Sequence, residues 1–467
     1  MPTNPEPGYV LVVSHDVVGE RMAGPGIRYY QLARVLSREF RVILAVPCPP
    51  PDGLPAGTLS WAQFKRGEWG SLEPLVRNAK AVLLNSEIAG DFPQLADLDN
   101  PPLVIDGYDP LLIEWLTLTQ SDLQMQTAHW QARMLALNRQ YLAGDFFICA
   151  SERQRDWWLG LLEANGRINP WTVQADPTLR RLIDVVPFGL PETPLQADRR
   201  VLKGVWSGIG EGDKVILWGG GLWPWLDPLT AVKGIARVWG YRQDVRLVFP
   251  GTRHPNPAMA QIPTHVEAVR QEASRLGLLD RAVFLGEWVD YAHWPGVLAD
   301  SDLALSLHYA GTLETRLAFR TRILDYIWAG LPVVATQGDA TGELVEAHQL
   351  GLLVPSEDVE RVSEAILRLL EVARDSYADR FAAARAALTW ERAAQPLFEF
   401  FRQPQRLPDK AVLGERLGNP YYQAMIDRLA GENAQLHHLI AAYEGRRVVR
   451  LANWLSRFLA WLGLKKM

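Results

Sequence analysis

Short apolar runs alternate with stretches of helical period along most of this chain, and the alternation runs twice, with a proline-bounded break between. The first series has apolar runs at Tyr9 to Ser14, Arg41 to Val46, Ala81 to Asn85, Leu103 to Asp106, Phe146 to Ala150 and Ile183 to Val186. The break is Pro187-Phe188-Gly189-Leu190-Pro191, and the second series then places strands at Lys214 to Trp218, Val245 to Pro250, Ala282 to Leu285, Leu303 to Ser306 and Val333 to Thr336. Strands separated by helices cannot pair as hairpins; they pair in parallel, which predicts two doubly wound α/β domains facing a cleft. The expected division is residues 1–190, residues 191–402, and a linker with a helical, amphipathic tail at 403–467. A length of 467 residues suits two large domains and a tail.

Ligands of such sheets bind beyond the carboxyl ends of the strands, so the loops there hold the candidate sites. After the first strand come Ser14-His15-Asp16 and a loop with Gly24 and Gly26 leading into a helix that begins near Ile27, with Arg28 at its start. A helix amino terminus receives an anion or a hydroxyl-rich ligand. The glycines do not match G-x-G-x-x-G, which disfavours a dinucleotide. Asp106-Gly107-Tyr108-Asp109-Pro110, with Glu114 beyond, sets carboxylates at another strand end, suited to acceptor or base chemistry; Asp109-Pro110 equally suits a plain helix start. In the second half Trp218-Gly219-Gly220-Gly221-Leu222 joins a strand to a helix, and its glycines let backbone N–H groups approach a ligand. No Lys-Ser/Thr follows, so it is not a triphosphatase loop. Gly208-Ile-Gly210-Glu-Gly212 precedes a strand and reads as a turn.

The densest stretch is Ala310 to Pro355. Arg320 to Ala329 has helical spacing, Gly330 stops it and Pro332 follows. Arg322 and Asp325 share a face apart from Ile323 and Ile327. Gln337-Gly338-Asp339 follows the next strand. Three arginines (Arg316, Arg320, Arg322) at a helix start point to a phosphate-bearing ligand.

Net charge is −5. Arg446 onward holds six basic residues and no acidic one, so the body carries −11, a charge that disfavours nucleic acid. In Arg446 to Leu464 an apolar Leu451, Trp454, Phe458 and Leu462 face opposes Arg450 and Arg457, which fits an in-plane helix on an anionic membrane, or docking onto protein. Residues 421–443 have spacing suited to a short self-associating helix, hence to a homo-oligomer. Cys48 and Cys149 are too few for a disulfide framework, and the start reads as no signal peptide, so the expected location is cytoplasmic, with the tail offering peripheral attachment to the inner face of the plasma membrane.

Over roughly residues 9 to 402 the chain resembles the family-4 (group 1) glycosyltransferases of the GT-B fold. The likeness rests on Gly24-Pro25-Gly26 before a helix, on Val186-Pro187-Phe188-Gly189-Leu190 as an interdomain linker, and above all on LDYIWAGLPVVAT with Gly338, Asp339 and Glu343 behind it. The resemblance implies a nucleotide-sugar held by the carboxyl-terminal domain, a glycan or lipid-linked acceptor at the amino-terminal one, retention of anomeric configuration, and no metal or other cofactor. It makes Asp325 the acid that accepts from the ribose hydroxyls. The family's first acid falls at Leu317, with Glu314 the nearest carboxylate to stand in. Its usual arginine and lysine fall at Gly221 and Leu226, so the common diphosphate clamp is missing.

A departing diphosphate gathers negative charge that cations must meet. Arg320 and Arg322, with Asp325, are therefore the catalytic candidates; the competing use of these arginines is ion pairing with Glu314 and Asp325. Donor contacts are expected from Gly220, Gly221, Trp223, Glu314, Arg316, Thr321, Gly338, Asp339 and Glu343, and acceptor contacts from Gly24, Gly26, Arg28, His15, Asp106 and Asp109. The expected activity is sugar transfer in envelope polysaccharide or glycolipid synthesis. The alternatives are a catalytically silent module of the same fold, binding a sugar nucleotide or scaffolding a complex, and a sugar-nucleotide epimerase.

Overall fold

A computed structural model describes residues 8–50, 59–97, 101–118, 123–254 and 264–410, with isolated positions beyond. Residues Met1–Leu407 form one compact unit and Pro408–Met467 a second. The tail readings, membrane attachment through 446–467 and self-association through 421–443, lie outside the described residues or nearly so.

The first unit contains two parallel sheets. The first joins β1 (Tyr9–Val13), β2 (Val42–Val46), β3 (Ser60–Gln63), β4 (Ala79–Asn85), β5 (Leu103–Asp106), β6 (Phe146–Cys149) and β7 (Ile183–Val185) in the order β3-β2-β1-β4-β5-β6-β7. The second joins β8 (Lys214–Leu217), β9 (Val245–Phe249), β10 (Val283–Leu285), β11 (Leu303–Ser306), β12 (Val333–Thr336) and β13 (Gly351–Val354) as β10-β9-β8-β11-β12-β13. Each order reverses beside its first strand, between β1 and β4 and between β8 and β11, and a crevice opens at such a reversal.

Central strands read as unbroken apolar runs because helices cover both faces. In β1, Val10 and Val12 enter one core while Tyr9, Leu11 and Val13 enter another on the opposite face. The core holding Val10 and Val12 is shared: it runs through Phe188, Leu190 and Trp390 to Tyr326 and Val333 of the second half. Edge strand β3 (Ser-Trp-Ala-Gln) is part-buried to exposed and carries no apolar run, whereas edge strand β13 (Gly-Leu-Leu-Val) is mostly part-buried although three of its four residues are apolar.

The two halves are tied at several points. Leu190 N donates to Leu388 O at 2.9 Å and Trp390 N to Leu190 O at 3.2 Å. A Cβ on Gly189 would lie 2.5 Å from the Trp390 backbone nitrogen, so the two chain segments pass this closely only with glycine there. Helix Gln395–Arg402 returns to the first sheet, where Phe398 packs 6.0 Å from Phe40, Phe400 stacks 5.1 Å from Phe146, and Arg402 forks onto Glu39 at 2.7 and 2.8 Å. Around the crevice Arg21 pairs with Asp290 at 2.6 Å, Gln31 donates to the Tyr291 hydroxyl at 2.8 Å, and Arg153 reaches both Gly338 O and the Glu343 carboxylate. Among the described residues no helix is long and apolar enough to cross a membrane.

Candidate functional site

The crevice between the sheets encloses a cavity of about 540 Å³ lined from both halves. Its floor in the second half is the loop after β8. Gly220 has φ 78°, a left-handed backbone that disfavours side chains, and Gly219 N donates to the Tyr326 hydroxyl at 2.7 Å. Tyr326 in turn donates to Leu305 O at 3.0 Å, so helix Arg322–Ala329 and the glycine loop are held as one piece. Trp218 lies fully buried beneath them.

Arg322 sits at the start of that helix. Its guanidinium lies 5.1 Å from the Trp218 ring centroid and Nη2 donates to Gly221 O at 3.1 Å, while Nη1 is shielded from solvent without a hydrogen-bond partner. Among the described residues no carboxylate lies within ion-pair distance of it; burial, reinforced by nearby Arg320, pushes it down to about 10 despite the opposing influence of Tyr326 and Asp325. Asp325, one turn on, accepts from Trp294 Nε1 at 3.0 Å, and burial pushes its carboxyl up to about 7.

Arg320 differs. It forks onto Glu314 at 2.7 and 2.8 Å, both side chains buried, and its Nε stands 3.7 Å from Asp339. It lines the cavity, but already neutralised; Glu314 serves as its partner and does not line the cavity. His308 lies behind, 3.7 Å from Asp339, and burial pushes its imidazole down to about 3, so it stays neutral.

Of the remaining donor-side residues, Gly220, Gly221, Trp223 and Thr321 line the cavity. Arg316 is exposed and does not line it. Asp339 caps helix Ala340–Ala347, accepting from Gly342 N, and Gly338 and Glu343 hold Arg153 of the first half. These three serve the scaffold and the closure rather than the cavity wall.

In the first half, helix Gly24–Leu36 aims its amino end at the cavity, with Gly24 beside Thr321. Gly26 must lack a side chain, since a Cβ would meet Val17 O at 2.2 Å. His15 lines the cavity, its ring edge-on to Tyr29. Arg28 and Asp106 do not reach it: they form a fully buried fork at 2.7 and 3.0 Å, with Arg28 also donating to Val186 O at 2.9 Å and lying over Tyr108 and Phe188. The pair pins the first helix to β5 and to the interdomain linker. Asp109 does line the cavity, and burial pushes its carboxyl up to about 7.

Trp223 and several residues that no motif singled out complete the walls. Trp288, His254 and Trp223 form an aromatic row, with ring centroids 5.3 Å apart for His254 and Trp288 and 5.5 Å for Trp223 and His254. Trp115, Arg133 and Glu87 line the other side. Glu87, His254 and Trp288 follow strand ends, Trp115 and Arg133 lie inside helices with no local signal, and tryptophan is too frequent here, at 18 residues, to mark a site by itself.

Solved structures with this architecture settle the fold. Anabaena HepE in complex with UDP-glucose is 17% identical with a TM-score of 0.59, covering 85% of this chain and 100% of that one. WaaG, described as a glycosyltransferase involved in lipopolysaccharide biosynthesis, is 14% identical with a TM-score of 0.56, covering 85% and 100%. Sucrose-phosphate synthase from Thermosynechococcus elongatus is 16% identical with a TM-score of 0.55, covering 85% and 99%. The fold is GT-B. Within this GT-B chain, residues 213–372 match the family model described as glycosyl transferases group 1. Chitobiosyldiphosphodolichol beta-mannosyltransferase of Debaryomyces hansenii is 30% identical over 128 residues, a stretch spanning 26% of this chain and 26% of that protein.

Proposed function

We propose that this GT-B protein is a glycosyltransferase that moves a sugar from a nucleotide-sugar donor to a glycan or lipid-linked acceptor with retention of configuration. The supporting observation is Arg322: a cation at the crevice with one nitrogen unsatisfied and, among the described residues, no carboxylate within ion-pair distance, against a glycine loop with open backbone. A cation so placed is poised for a diphosphate, because a charge-assisted bond to phosphate replaces the solvation it has lost. In this reading the amides of Gly220 and Gly221 and the Arg322 guanidinium take the diphosphate, Asp325 accepts from the ribose hydroxyls, and Trp288, His254 and Trp223 flank the base or sugar. The acceptor hydroxyl attacks from the side on which the diphosphate departs, and a phosphate oxygen takes its proton, so no side-chain base is needed.

The test is titration with a panel of nucleoside diphosphates. One of them should bind the wild type, and Arg322→Ala should lower its affinity by roughly 10- to 100-fold, the worth of a hydrogen bond to a charged group. Equal affinity in both proteins would remove the argument. A second reading, a binding module without turnover, is favoured by Leu317: it occupies the family's first acidic position, is buried, and has its carbonyl held by Gln154 Nε2 at 2.8 Å. Slow hydrolysis of the bound donor in the absence of acceptor separates the two. Attachment of the basic tail 446–467 to the inner face of the plasma membrane belongs to the same proposal, in envelope polysaccharide or glycolipid synthesis; sedimentation with anionic vesicles, with and without those residues, tests it.

A further inference from the structure

Two helices beside the cavity carry an outward apolar surface for which the ligand site has no use. Helix Leu111–Leu118 reads Leu-Leu-Ile-Glu-Trp-Leu-Thr-Leu, and Leu111, Glu114, Trp115 and Leu118 line the cavity at the i, i+3, i+4 and i+7 positions of one stripe. Its one charged residue, Glu114, lies on that stripe. Leu112, Ile113 and Leu116 lie off it and are apolar as well, yet they are only half-buried. A helix that is apolar all round belongs inside protein or against lipid, and this one is not enclosed by protein.

Helix Leu123–Ala143 packs against it and extends the surface. Leu123 is 77% exposed, Met125 49% and Trp130 45%; no other described helix of the first unit exposes three large apolar side chains. Leu123, Thr127, Trp130 and Met134 follow one another at i, i+4, i+7 and i+11, a single stripe along the helix. Among Asp, Glu, Lys and Arg, residues 123–137 contain only Arg133, and its guanidinium lies over the Trp115 ring at 4.1 Å on the cavity side. The exposed positions between the apolar ones are Gln124, Thr127, Ala128 and Gln131, all uncharged.

Charge and continuity select the occupant. The rest of the body is acidic and is held away from anionic headgroups, whereas this face presents no charge outward. A protein partner would find no charged group here to fix its register. An indole and carboxamides among aliphatic side chains suit the boundary between lipid headgroups and acyl chains. The surface also continues into the cavity through Leu111, Trp115 and Leu118. We infer that helices Leu111–Leu118 and Leu123–Ala143 form a membrane-docking face, which inserts Leu123, Met125 and Trp130 into the lipid boundary by apolar contact and sets the cavity beside the bilayer.

Photolabelling of the full chain tests this, with phosphatidylcholine vesicles that carry a diazirine in an acyl chain and mass spectrometry to locate the label. Residues 111–134 should be labelled on neutral vesicles, and addition of phosphatidylglycerol should not be required. Leu123→Gln combined with Trp130→Gln changes two exposed positions, so the melting temperature should hold while labelling of this segment falls roughly tenfold. Label confined to other residues, the basic 446–467 included, would overturn the inference, as would no label at all, equal labelling of the double variant, or labelling of this segment only with anionic lipid. Sedimentation velocity without lipid covers the other occupant: self-association abolished by the same double variant would assign the face to a second copy of the chain and overturn a lipid one. Neither donor nor acceptor is present in these measurements, so their failure leaves the transferase reading standing.

Discussion

Arg320 and Arg322 stand two positions apart and have opposite circumstances. Arg320 is forked onto Glu314 in a buried pair, and removing one member of such a pair leaves the other desolvated. Arg320→Ala is therefore expected to cost about 3–5 kcal/mol of stability, measurable by urea unfolding, before any effect on ligand is read. Arg322 lacks such a partner, so its substitution should be felt in ligand affinity, with stability little changed. Asp325 adds a pH signature. Its folded-state value of about 7 lies above the 3.8 of a free aspartate, so the folded state holds a proton that the unfolded chain releases between those values. Its contribution to stability is thus full at low pH and declines as pH rises through about 7. Asp325→Asn should melt higher than the wild type at pH 8 and level with it near pH 4, by differential scanning calorimetry; an equal difference at both would contradict the buried acid. These distinctions were not legible in the chain, where three arginines near two acids allow any pairing.

At the scale of elements, helix Arg322–Ala329 and the glycine loop after β8 are separated by some hundred residues yet joined through one hydroxyl. Tyr326 accepts from Gly219 N and donates to Leu305 O, both buried. Tyr326→Phe keeps the ring and strands both backbone groups, a cost of about 1–3 kcal/mol in chemical denaturation, with a weaker grip on nucleoside diphosphates because the loop loses its anchor. The helix itself was readable: its apolar spacing and its stop at Gly330 agree with the observed range. So were eleven strands, since buried parallel strands are apolar runs. Edge strand β3 escaped because one-sided pairing and partial exposure relax the demand for apolar residues, a reason that does not extend to β13, where Leu352-Leu353-Val354 is an apolar run. The Gly338-Asp339 turn was readable as a strand end; its use as a helix cap and as an anchor for Arg153 was not.

At the scale of the molecule, the cavity is bounded by contacts that cross between the halves. Arg153 with Glu343 and Arg21 with Asp290 are ion pairs with solvent access, and such pairs add about 0–1 kcal/mol and weaken with salt. Glu343→Gln should hardly change the unfolding midpoint but should favour a more open crevice, seen as a larger radius of gyration in small-angle scattering at low salt; high salt should bring the wild type toward the variant. A variant as closed as the wild type at low salt would show that this contact does not hold the crevice. By contrast Arg28 with Asp106 is wholly buried and ties the first helix to the linker at Val186, which makes it part of the scaffold rather than of the ligand site.

By itself the sequence determined the two sheets, the break between them and the loops that face the crevice, because strand period, helix period and glycine or proline punctuation are local properties of a chain. Which charged groups stand free was decided only by the tertiary structure. Ion pairing depends on distances in space: Arg28 found Asp106 and Arg153 found Glu343 from far along the chain, while Arg320 took nearby Glu314, leaving Arg322 with an unsatisfied nitrogen over the glycine loop. Packing of helix Leu111–Leu118 against helix Leu123–Ala143 brought Trp115 and Arg133 together on the opposite wall.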